Sequence, residues 1–161
     1  MVKTNSIIKI FIEESGLPTP TPEIEHERNL AIYDLLQKNE FSIDTKLVNP
    51  APDGPYVLRL AIKNSLLLFI IKDQTSEAEY EIHLSLTPLR PIIRDYFDIC
   101  QSYFNAVKRL PPSQIETIDM GRRGIHLEGS QTLIDRLDGK VRTDIQTAKR
   151  LFTLVCALHF K

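Results

Sequence analysis

The chain has 161 residues, 42% of them apolar and 25% charged, and its 20 Lys+Arg against 21 Asp+Glu leave a net charge of −1. This composition excludes a disordered or collagen-like chain. The balance of charge excludes a global field that would draw the protein onto nucleic acid or an anionic membrane. The length fits one domain, 1–161, large enough to bury a core without disulfide or metal staples.

The first apolar run, Ile7 to Ile12, is broken by Lys9 and followed by acids, which argues against a signal peptide. Ile8, Ile10 and Ile12 alternate with Lys9, Phe11 and Glu13, the period of a half-buried strand. Thr21 caps and Pro22 opens a helix that runs to about Asn39, with Ile24, Ala31, Ile32, Leu35 and Leu36 as its buried stripe. A short strand is expected over Ser42 to Val48, then a loop from Asn49 to Pro55. Alternation marks a strand over Tyr56 to Lys63, and Asn64-Ser65 forms its turn. Leu66 to Ile71 is apolar on both faces and reads as a central strand, far too short to cross a membrane. Tyr80, Ile82, Leu84 and Leu86 complete an antiparallel meander.

Helical spacing takes over at Thr87-Pro88 and lasts until Pro111-Pro112. Ser113 with Glu116 is a capping box for the next helix, expected to end near Gly121. Ser130 caps a short helix that stops at Gly139, and Thr143 with Gln146 opens the last one, apolar around most of its girth and reaching about Phe160. The resulting class is α+β: an antiparallel sheet of about four strands packed against four or five helices. Cys100 and Cys156 fall inside helical apolar patterns and read as buried thiols of a cytoplasmic protein.

Charge is divided along the chain. Residues 1–86 hold 8 Lys+Arg and 13 Asp+Glu, whereas residues 87–161 hold 12 and 8. The basic half contains Gly121-Arg122-Arg123-Gly124-Ile125-His126-Leu127-Glu128-Gly129-Ser130, with three of the chain's six glycines in ten positions. As a loop, this segment would bring backbone close to a ligand through Gly121, Gly124 and Gly129 and aim the N–H groups of a helix beginning at Ser130 at it. Arg122 and Arg123 would supply forked donors for phosphate or carboxylate, and His126 a group that titrates near neutral pH. As one continuous helix, the same glycines would instead mark close helix packing, and the arginines would pair with Asp119 or Glu116. His26, Arg28, Asp95, Asp119 and Glu128 are candidate neighbours of the site. The spacing is not that of a Walker loop, no metal-binding motif is present, and no cofactor is indicated.

The runs Pro22-Glu23-Ile24-Glu25-His26-Glu27-Arg28, Leu84-Ser85-Leu86-Thr87-Pro88, Arg94-Asp95-Tyr96-Phe97, Pro112-Ser113-Gln114-Ile115-Glu116, Ile118 to His126, Glu128-Gly129-Ser130 and Arg150 to Leu154 resemble uncharacterised protein family 0262, a small family of alphaproteobacteria. The run from Ile118 to Ser130 is the most specific part. The resemblance implies a stand-alone cytoplasmic bacterial protein. It carries no activity and no catalytic residue.

The function read from these residues is a small domain that binds an anionic small molecule through Gly121 to Ser130. The alternatives are a protein-interaction module or homo-oligomer without catalysis, and a small enzyme with His126 as acid/base and Glu128 or Asp119 orienting it. Nucleic acid is disfavoured, because no Lys/Arg stripe interleaves with aromatic residues.

Overall fold

Alternation between apolar and polar side chains builds the main sheet. In the computed structural model, which describes residues 4–159, β3 (Tyr56–Lys63), β4 (Leu66–Asp73) and β5 (Glu79–Ser85) form the expected antiparallel meander. Asn64 and Ser65 both take positive φ, 50° and 66°, as a two-residue hairpin turn demands. The fourth strand, β1 (Ile7–Ile12), joins the other side of β3 in parallel, giving the order β1-β3-β4-β5. The sheet is therefore mixed rather than wholly antiparallel. A parallel pair needs a long crossover, and here the crossover contains α1 (Pro22–Gln37). Thr21 Oγ1 accepts from Ile24 N at 3.2 Å, so the expected cap and the proline at the first turn both stand.

The short strand after α1 covers only Phe41–Ile43 (β2). Its partner, β6 (Val141–Thr143), was not anticipated; the two form a separate antiparallel pair. Asn39 fixes the start of β1 by accepting from Ile7 N at 2.7 Å and donating to Ile7 O at 3.0 Å.

The helical half holds α2 (Arg90–Arg109), α3 (Pro112–Leu137) and α4 (Ile145–Leu158). Three expected boundaries move. The first residue before α2 is Leu89, not Thr87. Pro111 precedes α3, so Ser113 lies inside the helix and its side chain caps nothing. Asp144, not Thr143, caps α4 by accepting from Thr147 N at 2.8 Å. The expected end near Phe160 lies outside the described residues.

One cluster of buried side chains runs from the sheet through the helices. Leu58, Leu60, Phe69 and Ile71 face it from the strands; Leu133, Leu137, Leu151, Phe152 and Leu154 meet them from α3 and α4. The fold is α+β. None of the described helices is long and apolar enough to cross a membrane.

Candidate functional site

The segment Gly121 to Ser130 is helix from end to end, an uninterrupted part of α3. No proline falls between Ser113 and Leu137; each glycine costs a helix about 1 kcal/mol, and for Gly121 and Gly129 packing compensates. A Cβ on Gly129 would stand 2.2 Å from Cε1 of Phe152, and one on Gly121 would stand 2.9 Å from Cδ1 of Ile99. Those two glycines let α4 and α2 approach α3. Gly124 faces open space. Ser130 begins no helix: its side chain is buried and its hydroxyl donates to the carbonyl of His126 at 2.7 Å. The loop cradle, with N–H groups freed by a helix start at Ser130, is therefore absent.

Helical geometry nonetheless gathers the charged candidates. Asp119, Arg122, Arg123 and His126 stand at i, i+3, i+4 and i+7, which puts them on one face. Asp119 takes both arginines. Its Oδ1 accepts from Arg122 Nε at 3.0 Å and also from Nη2, and its Oδ2 lies 3.3 Å from Arg123 Nε. The hydrogen bond to Asp119 raises the pKa of Arg122, against the opposing pull of burial. The Arg122 guanidinium also lies over the ring of Tyr103, 4.6 Å from its centroid, a cation–π contact that fixes its plane. The pair is not sealed away from water: the Arg123 side chain keeps 66% of its exposure and Arg122 33%.

His126 is held between two rings. Its centroid is 5.2 Å from that of Tyr96 and 5.2 Å from that of Phe152, the latter edge-on at 84°. Its Nε2 is 2.8 Å from Thr153 Oγ1, and that hydroxyl donates to the carbonyl of Lys149 at 3.1 Å. With its one proton so engaged, the threonine oxygen accepts from Nε2–H, which leaves the Nδ1 lone pair of the neutral ring free. Burial lowers the pKa of His126, and Lys149 and Arg122 lower it further by like-charge repulsion. The imidazole is thus neutral near pH 7. Tyr96 is pushed upward, chiefly by burial, and stays a phenol.

Tyr96, Arg122, Arg123, His126 and Lys149 line a cleft of about 310 Å³ between α2, α3 and α4. Its charged groups are three cations and, behind two of them, the single carboxylate of Asp119. The lining is an excess of cations, and it offers no carboxylate to orient the imidazole. Glu128 is exposed and two residues from His126 along the helix, where side chains diverge. Among the described residues, no three His, Cys, Asp or Glu side chains converge as metal ligands would.

A family model described as an uncharacterised protein family, UPF0262, matches residues 4–161. The chain belongs to that family. It is 56% identical over 154 residues to the UPF0262 protein of Roseobacter denitrificans, covering 96% of this chain and 97% of that one. A second relative, from Ruegeria pomeroyi, is also 56% identical, with 96% of each chain covered. The protein from Dinoroseobacter shibae is 53% identical over 96% of this chain and 97% of its own. No solved structure matches the chain.

In this UPF0262 protein the remaining candidates lie elsewhere. His26 is exposed on α1, and Asp95 is exposed on α2; neither lines the cleft. Arg28 turns inward. It shares a buried helix face with Ala31 and Leu35, and its Nε, Nη1 and Nη2 are all buried without a hydrogen-bond partner. Lys149, Thr153 and the Tyr96 ring belong to the site but were not singled out as ligands. Lys149 could have been noticed as one of only two adjacent cations interrupting the apolar girth of α4. Its neighbour Arg150 is engaged with the carbonyl of Lys38 at 2.8 Å, which leaves Lys149 as the cation α4 gives to the cleft.

Proposed function

We propose that this UPF0262 protein binds a small anionic molecule, bearing phosphate or carboxylate, in the cleft beside His126. The observation that carries this reading is the excess of cations there: Arg122, Arg123 and Lys149 against Asp119. Asp119 and the Tyr103 ring hold Arg122, so part of its side-chain entropy is already lost before an anion arrives. Tyr96 supplies an apolar wall for the uncharged part of the ligand. Neutral His126 offers an acceptor at Nδ1 and gains a proton more readily once an anion offsets Lys149 and Arg122. The two free thiols, Cys100 and Cys156, support a reducing, cytoplasmic setting.

A ligand that binds only the folded form raises its melting temperature with concentration. Inorganic phosphate, citrate and a nucleoside monophosphate are titrated against the full chain at low salt. At least one is expected to raise Tm in a saturable way. Arg123→Ala with Lys149→Ala, one side chain exposed and the other half-buried, is expected to abolish that rise while leaving the ligand-free Tm nearly unchanged. An undiminished shift in the double variant, or no shift with any of these anions, overturns the reading.

A further inference from the structure

Almost every polar group on the wall of the cleft is a donor. Of the five lining residues, Arg122, Arg123 and Lys149 have side chains that donate and never accept. The Tyr96 phenol is turned to the Cys100 thiol. Behind the wall, both carboxylate oxygens of Asp119 are occupied by the two arginines. Backbone carbonyls within α2, α3 and α4 are spent on their own helices. One side-chain acceptor remains on the lining, the Nδ1 lone pair of His126.

The packing of the ring turns that lone pair toward the cleft. Tyr96 and Phe152 flank the imidazole, each with its centroid 5.2 Å away, and Thr153 takes Nε2. Among the described residues Nδ1 has no hydrogen-bond partner. Nor is it sealed off, because the buried side-chain atoms left without a partner there all belong to Arg28. Nδ1 is therefore open to water, and the opening that His126 lines is the cleft. The cations favour the same tautomer as Thr153 does. A proton on Nδ1 would put an N–H among Arg122, Arg123 and Lys149, whereas a proton on Nε2 presents a lone pair to them, which their charge stabilises.

We infer, on the reading of this cleft as an anion site, that the molecule it takes also carries a hydroxyl close to its charged group, as a hydroxycarboxylate or the phosphate ester of a polyol does. The charged end meets Arg122, Arg123 and Lys149, and the hydroxyl donates to Nδ1 of His126. An anion without such a donor displaces the water at Nδ1 and returns no hydrogen bond. The acceptor is then left unpaired beside the Tyr96 ring, and a site built around a hydroxyl rejects the analogue that lacks it for this reason. A volume of about 310 Å³ lies at the small end of ligand sites, which suits a compact metabolite and leaves no room for a dinucleotide.

Pairs of anions that differ only in hydroxyl groups test it: citrate against tricarballylate, malate against succinate, and glycerol 3-phosphate against propyl phosphate. Dissociation constants are measured by calorimetry on the full chain at low salt and about pH 8, where the imidazole is neutral and the phosphate monoesters are dianions. In at least one pair the hydroxylated member is expected to bind about tenfold more tightly than its partner. His126→Gln, whose amide reaches Thr153 from the place of Nε2 but sets no acceptor at the place of Nδ1, is expected to bring that ratio close to one. Thr153→Val is expected to lower it as well, since the ring proton is no longer held at Nε2, and this exposed position leaves the ring stack undisturbed. Equal affinities within every pair overturn the inference and leave the anion site standing, whereas no binding by any of the six overturns both. A wild-type ratio in the two variants also overturns the inference.

Discussion

Helices α3 and α4 lie side by side, yet sequence has put them to opposite uses. Nine of the fourteen residues of α4 are buried, whereas the 26 residues of α3 bury four, all within its last nine positions. The buried part of α3 is the stretch from Gly129 onward, where the missing side chain admits the ring of Phe152. Upstream, α3 leaves the core, and its side chains are free to carry charge. Packing fixes one end of the helix so that the other can hold Asp119, Arg122 and Arg123 at helical pitch. The comparison teaches that the glycine-rich run is not one device. Gly129 serves the core, Gly121 serves the contact with α2, and Gly124 serves neither.

The largest effect that would break this distinction is at Gly129. Adding a Cβ there collides with a fully buried ring, so Gly129→Ala is expected to lower unfolding free energy by about 1–3 kcal/mol despite alanine's better helix propensity. Urea denaturation reads it, and an unchanged or raised midpoint would show that α3 and α4 are not in close contact. Gly124→Ala is expected to go the other way, stabilising by about 0.5–1 kcal/mol, because open space surrounds it inside a continuous helix. A loss of stability there would mean that the segment is not helical. The smallest effect is the pH dependence of His126. Its folded pKa lies below the unfolded value of 6.5, so above that pH both states are neutral and the histidine contributes nothing. As pH falls below about 6.5 the unfolded chain takes up the proton first, and stability declines. His126→Gln is expected to flatten part of that decline between pH 7 and 5; His159, lowered in the same direction by burial, accounts for another part. Identical slopes in the two proteins would place His126 in water.

Local patterns are legible in the strands and at Thr21, whereas the helix starts expected at Thr87, Ser113 and Thr143 are each displaced by one or two residues. Alternation marked β3 and β5 because their two faces meet different surroundings, and Thr21-Pro22 marked the start of α1 because a cap needs only its own first turn. The girth of α4 marked its burial. The parallel seat of β1 was not legible, since nothing in Ile7–Ile12 specifies the direction of a neighbour 45 or more residues away. The three-residue pair β2–β6 is too short for any periodicity. Between loop and continuous helix the sequence of Gly121 to Ser130 does not decide, because the cost of each glycine depends on what lies opposite, and Phe152 is distant in sequence from Gly129. For the site, Arg122, Arg123, His126 and Asp119 were found by residue type and spacing, whereas Lys149 arrived through the crossing of α4. Arg28, a candidate neighbour of the site, lies elsewhere; its spacing of three and seven from Ala31 and Leu35 is what turns it inward.

The ring stack beside the cleft has an optical consequence. The chain contains no tryptophan and five tyrosines, so its ultraviolet emission comes from phenols alone. One of them, Tyr96, forms the wall against His126. Occupancy of that wall therefore alters a signal the molecule already carries, and a fluorimeter can follow filling of the cleft with no label attached.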